Sequence, residues 1–327
     1  MNPTDARLQA LLQPITEPMA AMRAVLAEEL ATDAPAVADM TDHISRFQGK
    51  QLRAALVLLV GQATQNDDRE LSTVAAIVEL IHLATLVHDD VLDGAEVRRR
   101  VACVNERWDN QVAVLLGDWL YSRAFHRSTT LKSRLASQLL AKTTQKICVG
   151  EIEQAGGRYD FEMAETRYEN IAGAKTAALY SAACELGARY PGDSGFGTSM
   201  ASFGWELGLA FQIIDDVLDL TGTEAEVGKS VGNDVEDGKV TLAVLKTYAM
   251  ADDDTRARIR DVYTLPDLED RVARLREVCD LGPGLDYARA RASALLTSAQ
   301  GRLSALGASP AREALETLMT FLQERRF

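Results

Sequence analysis

Helix breakers are scarce in this sequence: only 8 prolines and 22 glycines interrupt 327 residues. Ala, Leu, Glu and Arg fill many of the stretches between them, which favours helix. Cysteine is scarcer still. Cys103, Cys148, Cys184 and Cys279 show no metal-like spacing and read as reduced thiols in a cytosolic protein. Positive charge is in deficit, with a formal net charge of -13. Such a chain repels phosphate backbones, so nucleic acid is not an expected partner. An anionic substrate would have to be met by local basic groups or bridging metal ions. Apolar runs such as Ala54–Val60 fall far short of a membrane span. The start, Met1-Asn2-Pro3-Thr4-Asp5, lacks a signal pattern. A cytoplasmic protein without a membrane span is the expectation. The hydrophobic content, 47%, suffices for a sizeable core.

What is present is helical periodicity. From Val74 to Val87 apolar residues fill nearly every position, broken by Glu79, His82 and Thr85. A helix apolar on most faces is buried in a larger bundle. Further helices are predicted over Gln111–Phe125, Lys132–Cys148, Tyr168–Leu186, Phe203–Leu220 and Val240–Met250. No segment alternates with period two, so no strands are predicted. Breaks fall at Gln65-Asn66-Asp67-Asp68, Gly156-Gly157, Pro191–Gly195, Gly222–Gly238 and Leu281-Gly282-Pro283-Gly284. These are turns rather than domain linkers, which favours one domain over 1–327.

One internal echo carries chemistry. Asp89-Asp90-Val91-Leu92-Asp93 and Asp215-Asp216-Val217-Leu218-Asp219 are both Asp-Asp-x-x-Asp, and each follows a long apolar helical run. Positions i and i+4 share a helix face, so Asp89 lies with Asp93 and Asp215 with Asp219. Three carboxylates on one turn repel each other unless a cation compensates. Magnesium binds one or two carboxylates together with substrate phosphates, so two such turns facing each other would hold magnesium around one diphosphate. A solvated acidic face explains one triplet readily but two poorly.

Three basic clusters are ordered around these triplets. Lys50 and Arg53 are i and i+3 neighbours at a predicted helix start. Arg98-Arg99-Arg100 follows Asp93 closely, and Lys175-Thr176, Lys229 and Lys239 complete the set. Arginine forks fit phosphate bidentately, and lysine acts as a point charge. His82 in an apolar helix is compatible with a core residue or a polar wall. Gln212 shares a face with Asp215 or Asp216.

With these motifs in this order, the chain resembles the trans-isoprenyl diphosphate synthase family from about Gly49 to Leu245, most like its long-chain octaprenyl and heptaprenyl members. Leu80–Asp90 resembles the first aspartate-rich region, and Phe211–Asp216 through Gly228-Lys229 the second. Gly150–Gln154 and Lys175–Leu179 are further family segments. The resemblance implies an all-α bundle of long helices around a deep central cavity, usually a homodimer. It implies that Lys50, Arg53, His82 and Arg99 hold isopentenyl diphosphate. Arg98, Lys175, Thr176, Gln212, Lys229 and Lys239 would contact an allylic diphosphate. Asp89, Asp90, Asp93, Asp215, Asp216 and Asp219 would bind Mg2+. Gln48, Gln51, Ala54, Arg100 and Ala243 depart from the family pattern.

The implied product is long. A tail running along the helix before the first triplet would pass Ala84 and Thr85, both small. A tunnel beside about 20 helical residues is about 30 Å long, enough for roughly six isoprene units and a product of roughly C30–C50. Phe125 or Trp119 is an alternative floor. Alternatives to the long-chain synthase are a short-chain farnesyl or geranylgeranyl synthase, a class I terpene cyclase and a non-catalytic subunit of a heterodimeric synthase. The intact second triplet argues against the last two.

Overall fold

The computed structural model describes residues 11–47, 49–98, 101–192, 195–222, 231–266, 268 and 270–323. The architecture is all-α, as predicted. Helices α1 (Thr16–Leu30), α2 (Pro35–Ser45), α3 (Leu52–Ala63), α4 (Leu71–Leu92), α5 (Asn110–Thr129), α6 (Leu135–Gly156) and α7 (Glu165–Ala172) build the first part. They are followed by α8 (Ala178–Arg189), α9 (Gly197–Thr221), α10 (Leu242–Met250), α11 (Asp253–Thr264), α12 (Arg271–Val278), α13 (Gly282–Leu303) and α14 (Pro310–Gln323).

Two helices organise the rest. Helix α4 packs on α1, α3 and α5, and α9 packs on α8 and α13, with α8 joined in turn to α3. Close backbone approach knits these pairs. A Cβ at Gly204 would stand 2.4 Å from the Tyr180 carbonyl oxygen, and one at Gly187 would stand 2.3 Å from that of Val57. Neither position admits a side chain. Although no unbroken apolar run was long enough to suggest it, α4 has the length and hydropathy of a membrane span. Yet 67% of its most apolar window is buried in the bundle, as befits a core helix.

Several boundaries differ from the sequence-based expectation, each for a local reason. A two-stranded antiparallel ladder pairs Val97 with Ala102 and Arg98 with Val101; two residues per strand are too few to display alternation. Helix α6 begins at Leu135, whose N–H donates to Ser133 Oγ at 3.2 Å, rather than at Lys132. The break predicted at Leu281–Gly284 is instead the start of α13, with Pro283 in its first turn, where a missing N–H is harmless. Lys50 precedes α3 because Gln51 adopts a left-handed backbone, φ 49°. Lys50 and Arg53 are therefore not neighbours on one helix. The stretch Tyr168–Leu186 is divided by a π turn over Gly173–Ala177.

Candidate active site

A cavity of about 1370 Å³ opens between α4 and α9. Helix α4 turns Glu79, His82, Leu83, Thr85, Leu86, Asp89 and Asp90 into it, and its C-cap Asp93 follows, a stripe built on three- and four-residue spacing. Helix α9 contributes Phe211, Gln212, Asp215, Asp216 and Asp219. Lys175 and Thr176, Lys50 and Arg53, Arg98, and Lys239 line the same space. Thus every predicted site residue that the structure describes meets in one cavity. Arg99 and Lys229 lie outside the described residues, as do Gln48, Arg100 and the terminal Arg325-Arg326-Phe327.

The first triplet is met by cations. Asp90 is fully buried, and Arg98 donates to its Oδ1 from Nε at 2.8 Å and from Nη2 at 2.7 Å. Asp93 accepts from Lys239 Nζ at 3.0 Å. Burial works to raise the Asp93 pKa, but the Lys239 and Lys175 ammonium groups outweigh it and hold the carboxyl below its usual range. Asp89 behaves oppositely. Burial pushes it up to about 7; Lys175 opposes the rise, while Glu151 and Asp93 add to it.

In the second triplet, Asp216 is met by neutral donors. Tyr168 Oη donates to Asp216 Oδ2 at 2.6 Å, and Gln212 Nε2 donates to Oδ1 at 2.7 Å. Thr176 Oγ1 donates in turn to Gln212 Oε1 at 2.6 Å, which fixes the amide. Burial pushes Asp216 up to about 6 against these bonds, with Asp215 and Asp219 reinforcing the shift. Asp219 Oδ2 accepts the backbone N–H of Asp234 at 3.0 Å. Besides Asp93, Lys239 reaches Asp237 at 2.9 Å and Asp234 at 3.8 Å, so it ties the first triplet to the segment whose Asp234 N–H binds Asp219.

The π turn positions Lys175. A π turn carries one residue more than an α turn and rotates the side chains that follow. Two glycines make room for it: a Cβ at Gly150 would stand 2.8 Å from Lys175 N, and one at Gly173 would stand 2.3 Å from the Trp205 ring. Lys175 Nζ then reaches Glu151 Oε2 at 2.8 Å and Gln154 Oε1 at 3.0 Å. At the far end of the cavity, Arg53 stacks 4.6 Å over Tyr180 and its Nη1 lies 2.9 Å from His82 Nε2. A guanidinium only donates, so Nε2 is the accepting atom of this pair. Lys50 lies 5.4 Å above the Phe321 ring, and α14 closes this end with Leu318, Phe321 and Leu322.

Sequence reasoning missed Tyr168, Asp234, Asp237 and the α14 wall, and it noted Glu151 only within a familiar segment. A glycine inside a predicted helix was the available signal for the π turn. Ala84 is fully buried and off the α4 stripe; Thr85 and Leu86 line the cavity, whereas Ala84, Trp119 and Phe125 do not. Among the described residues, no three metal-ligating side chains converge into a ready metal cage. The donors are nonetheless carboxylate oxygens from two triplets on one cavity. That set fits a hard divalent cation that completes its shell with substrate phosphate.

The comparisons with known proteins agree with this chemistry. The polyprenyl synthetase family model matches residues 34–281. Over 322 residues the chain is 33% identical to heptaprenyl diphosphate synthase component 2 of Geobacillus stearothermophilus, covering 98% of this chain and all of that one (100%). It is 36% identical over 292 residues to the short chain isoprenyl diphosphate synthase of Methanothermobacter thermautotrophicus, covering 87% and 89% of the two chains. A solved polyprenyl synthase from Caulobacter crescentus CB15, complexed with calcium and isoprenyl diphosphate, matches with a TM-score of 0.90 at 30% identity over 98% of each chain. The family match spans both aspartate triplets and the basic residues between and beside them. With two acidic turns and a set of basic side chains lining one cavity of this fold, the chain belongs to the polyprenyl synthetase family and is a prenyltransferase.

Proposed function

We propose that this enzyme condenses isopentenyl diphosphate repeatedly with an allylic diphosphate, using magnesium, to give a linear all-trans polyprenyl diphosphate of long chain. The observation that supports it most is the company kept in one cavity: both aspartate triplets and Lys175 share it with Lys50, Arg53 and His82. Asp89, Asp93, Asp215 and Asp219 would hold the cation, with Asp90 and Asp216 braced behind them. A divalent cation there supplies Lewis-acid charge to the departing diphosphate.

The side chains do the rest. Lys175, Arg98 and Lys239 offset the negative charge that develops as the allylic C–O bond breaks and its electron pair leaves with pyrophosphate. Lys229 would join them. The Thr176 and Gln212 dipoles face the allylic carbon as it becomes cationic. Lys50, Arg53, His82 and Arg99 hold isopentenyl diphosphate so that its double bond attacks that carbon. A proton then leaves the adduct for the released pyrophosphate, restoring a double bond. The buried walls exclude water from the cation.

Long-chain relatives and the small Thr85 on the cavity wall favour a long product. Function in the cytoplasm belongs to the same reading. The word "component" in the name of the Geobacillus relative favours a second reading, a subunit that works with a different chain. Leu115 on α5 and Val149 and Ile152 on α6 are each exposed by more than half, apolar side chains suited to a partner, which we assign to a second copy of this chain. Purified protein supplied with labelled isopentenyl diphosphate, allylic primers and magnesium should yield a ladder of long products while sedimenting as a dimer. A silent preparation that gains activity only with a different chain would overturn the homodimer and support the subunit.

A further inference from the structure

Among the described residues with left-handed backbone that are not glycine, Gln51 alone lines the cavity; Gln65, Tyr159 and Asp270 lie elsewhere. An L-residue adopts this conformation at a cost, so something must hold it there. Gln51 is 5% exposed, and its Oε1 accepts a hydrogen bond at 2.8 Å from Nε of Arg23 on α1. Its own carbonyl accepts the N–H of Ala55 at 2.9 Å and so opens α3. One left-handed residue therefore sits at the N-cap and starts the helix. As a result, Lys50 before the turn and Arg53 after it both face the cavity. Arg23 itself does not line the cavity.

We propose that the Arg23–Gln51 hydrogen bond is a latch on this turn, which makes both residues positioning residues for Lys50 and Arg53 and hence for isopentenyl diphosphate. The inference rests on the assignment of Lys50 and Arg53 to that substrate. Arg23 acts at a distance. Its charged donor holds a buried amide oxygen, the amide holds the left-handed turn, and the turn sets the spacing of two cations that must meet one diphosphate. Loosening it disperses those cations without touching the carboxylate end.

The test is steady-state kinetics on the full chain, with isopentenyl diphosphate binding measured separately by calorimetry. Loss of a hydrogen bond from a charged donor should weaken isopentenyl diphosphate about tenfold in Arg23→Ala. The same loss should leave kcat and the KM for the allylic substrate within about twofold, because the transition-state contacts are untouched. Adding Gln51→Gly to Arg23→Ala should restore most of the lost affinity, because glycine adopts the left-handed turn without strain. A lower Tm in Arg23→Ala with both KM values unchanged, or raised equally, would contradict the latch, as would failure of the glycine rescue. Absence of isopentenyl diphosphate binding by the unaltered chain defeats instead the substrate assignment beneath it, and with it the latch.

Discussion

The two aspartate triplets are the same motif in two electrostatic settings. On α4 the carboxylates meet cations: Arg98 on Asp90, Lys239 on Asp93. On α9 the buried Asp216 meets neutral donors, Tyr168 and Gln212, and a backbone N–H reaches Asp219. The contrast is clearest at the two middle aspartates: a guanidinium balances Asp90, whereas neutral hydrogen bonds hold Asp216. In both, the middle aspartate is buried and held by a neighbouring side chain, Asp90 through Oδ1 and Asp216 through both oxygens, which suits it to brace the turn. The comparison teaches that a repeated sequence need not mean a repeated environment, and that charge balance has to be read from what packs against each copy.

The comparison can be broken most severely at its shared element. Asp89→Ala and Asp215→Ala should each lower kcat by about 100- to 1000-fold while far-UV circular dichroism stays unchanged. A variant near wild-type rate would remove that triplet from the chemistry. Next come the braces. Arg98→Met strands the fully buried Asp90 and should lower stability by about 3 kcal/mol in urea unfolding. Tyr168→Phe removes only a neutral donor and should lower it by about 1–2 kcal/mol. Equal losses in the two variants would erase the contrast between cationic and neutral settings.

Proton linkage offers a gentler probe. In the metal-free protein burial raises Asp89 to about 7 and Asp216 to about 6. An unfolded chain releases those protons near pH 3.9. The folded state therefore binds more protons than the unfolded state across this interval, and stability contributed by the two groups falls as pH rises through it. A divalent cation competes with the same protons. The rise in Tm on adding magnesium and pyrophosphate should thus be larger at pH 8 than at pH 6 by differential scanning fluorimetry. A rise that shrinks toward pH 8 would speak against these two groups as part of the metal site. The smallest effect on rate is expected from Thr85→Phe, which narrows the cavity wall and should shorten the products on thin-layer chromatography. An unchanged product ladder would move length control to another wall.

Much of this was legible in the sequence. The two triplets announced themselves by spacing, and the unbroken apolar stretch Val74–Val87 announced α4. The family resemblance supplied the fold and assembled the basic residues around one cavity. Other features were hidden because they depend on partners distant in sequence. The π turn exists where Gly150 and Gly173 let α6 and Trp205 come close, which no window centred on Lys175 reveals. The left-handed Gln51 looks like a continuation of α3 until Arg23 is seen beside it. Tyr168 reads as an ordinary aromatic until its hydroxyl is found on Asp216, 48 residues away. The α4 stripe also corrected the expectation for Ala84: its phase could be drawn from the sequence, but which side faced the cavity depended on α9.

In the proposed reaction both acidic turns would hold the divalent cation that carries the substrate diphosphate. Electron paramagnetic resonance of Mn2+ titrated into the protein with and without pyrophosphate tests it most directly, in the wild type, Asp89→Ala and Asp215→Ala. The account predicts tight Mn2+ binding that requires pyrophosphate and is lost when either triplet is cut. Undiminished Mn2+–pyrophosphate binding in either variant would contradict it.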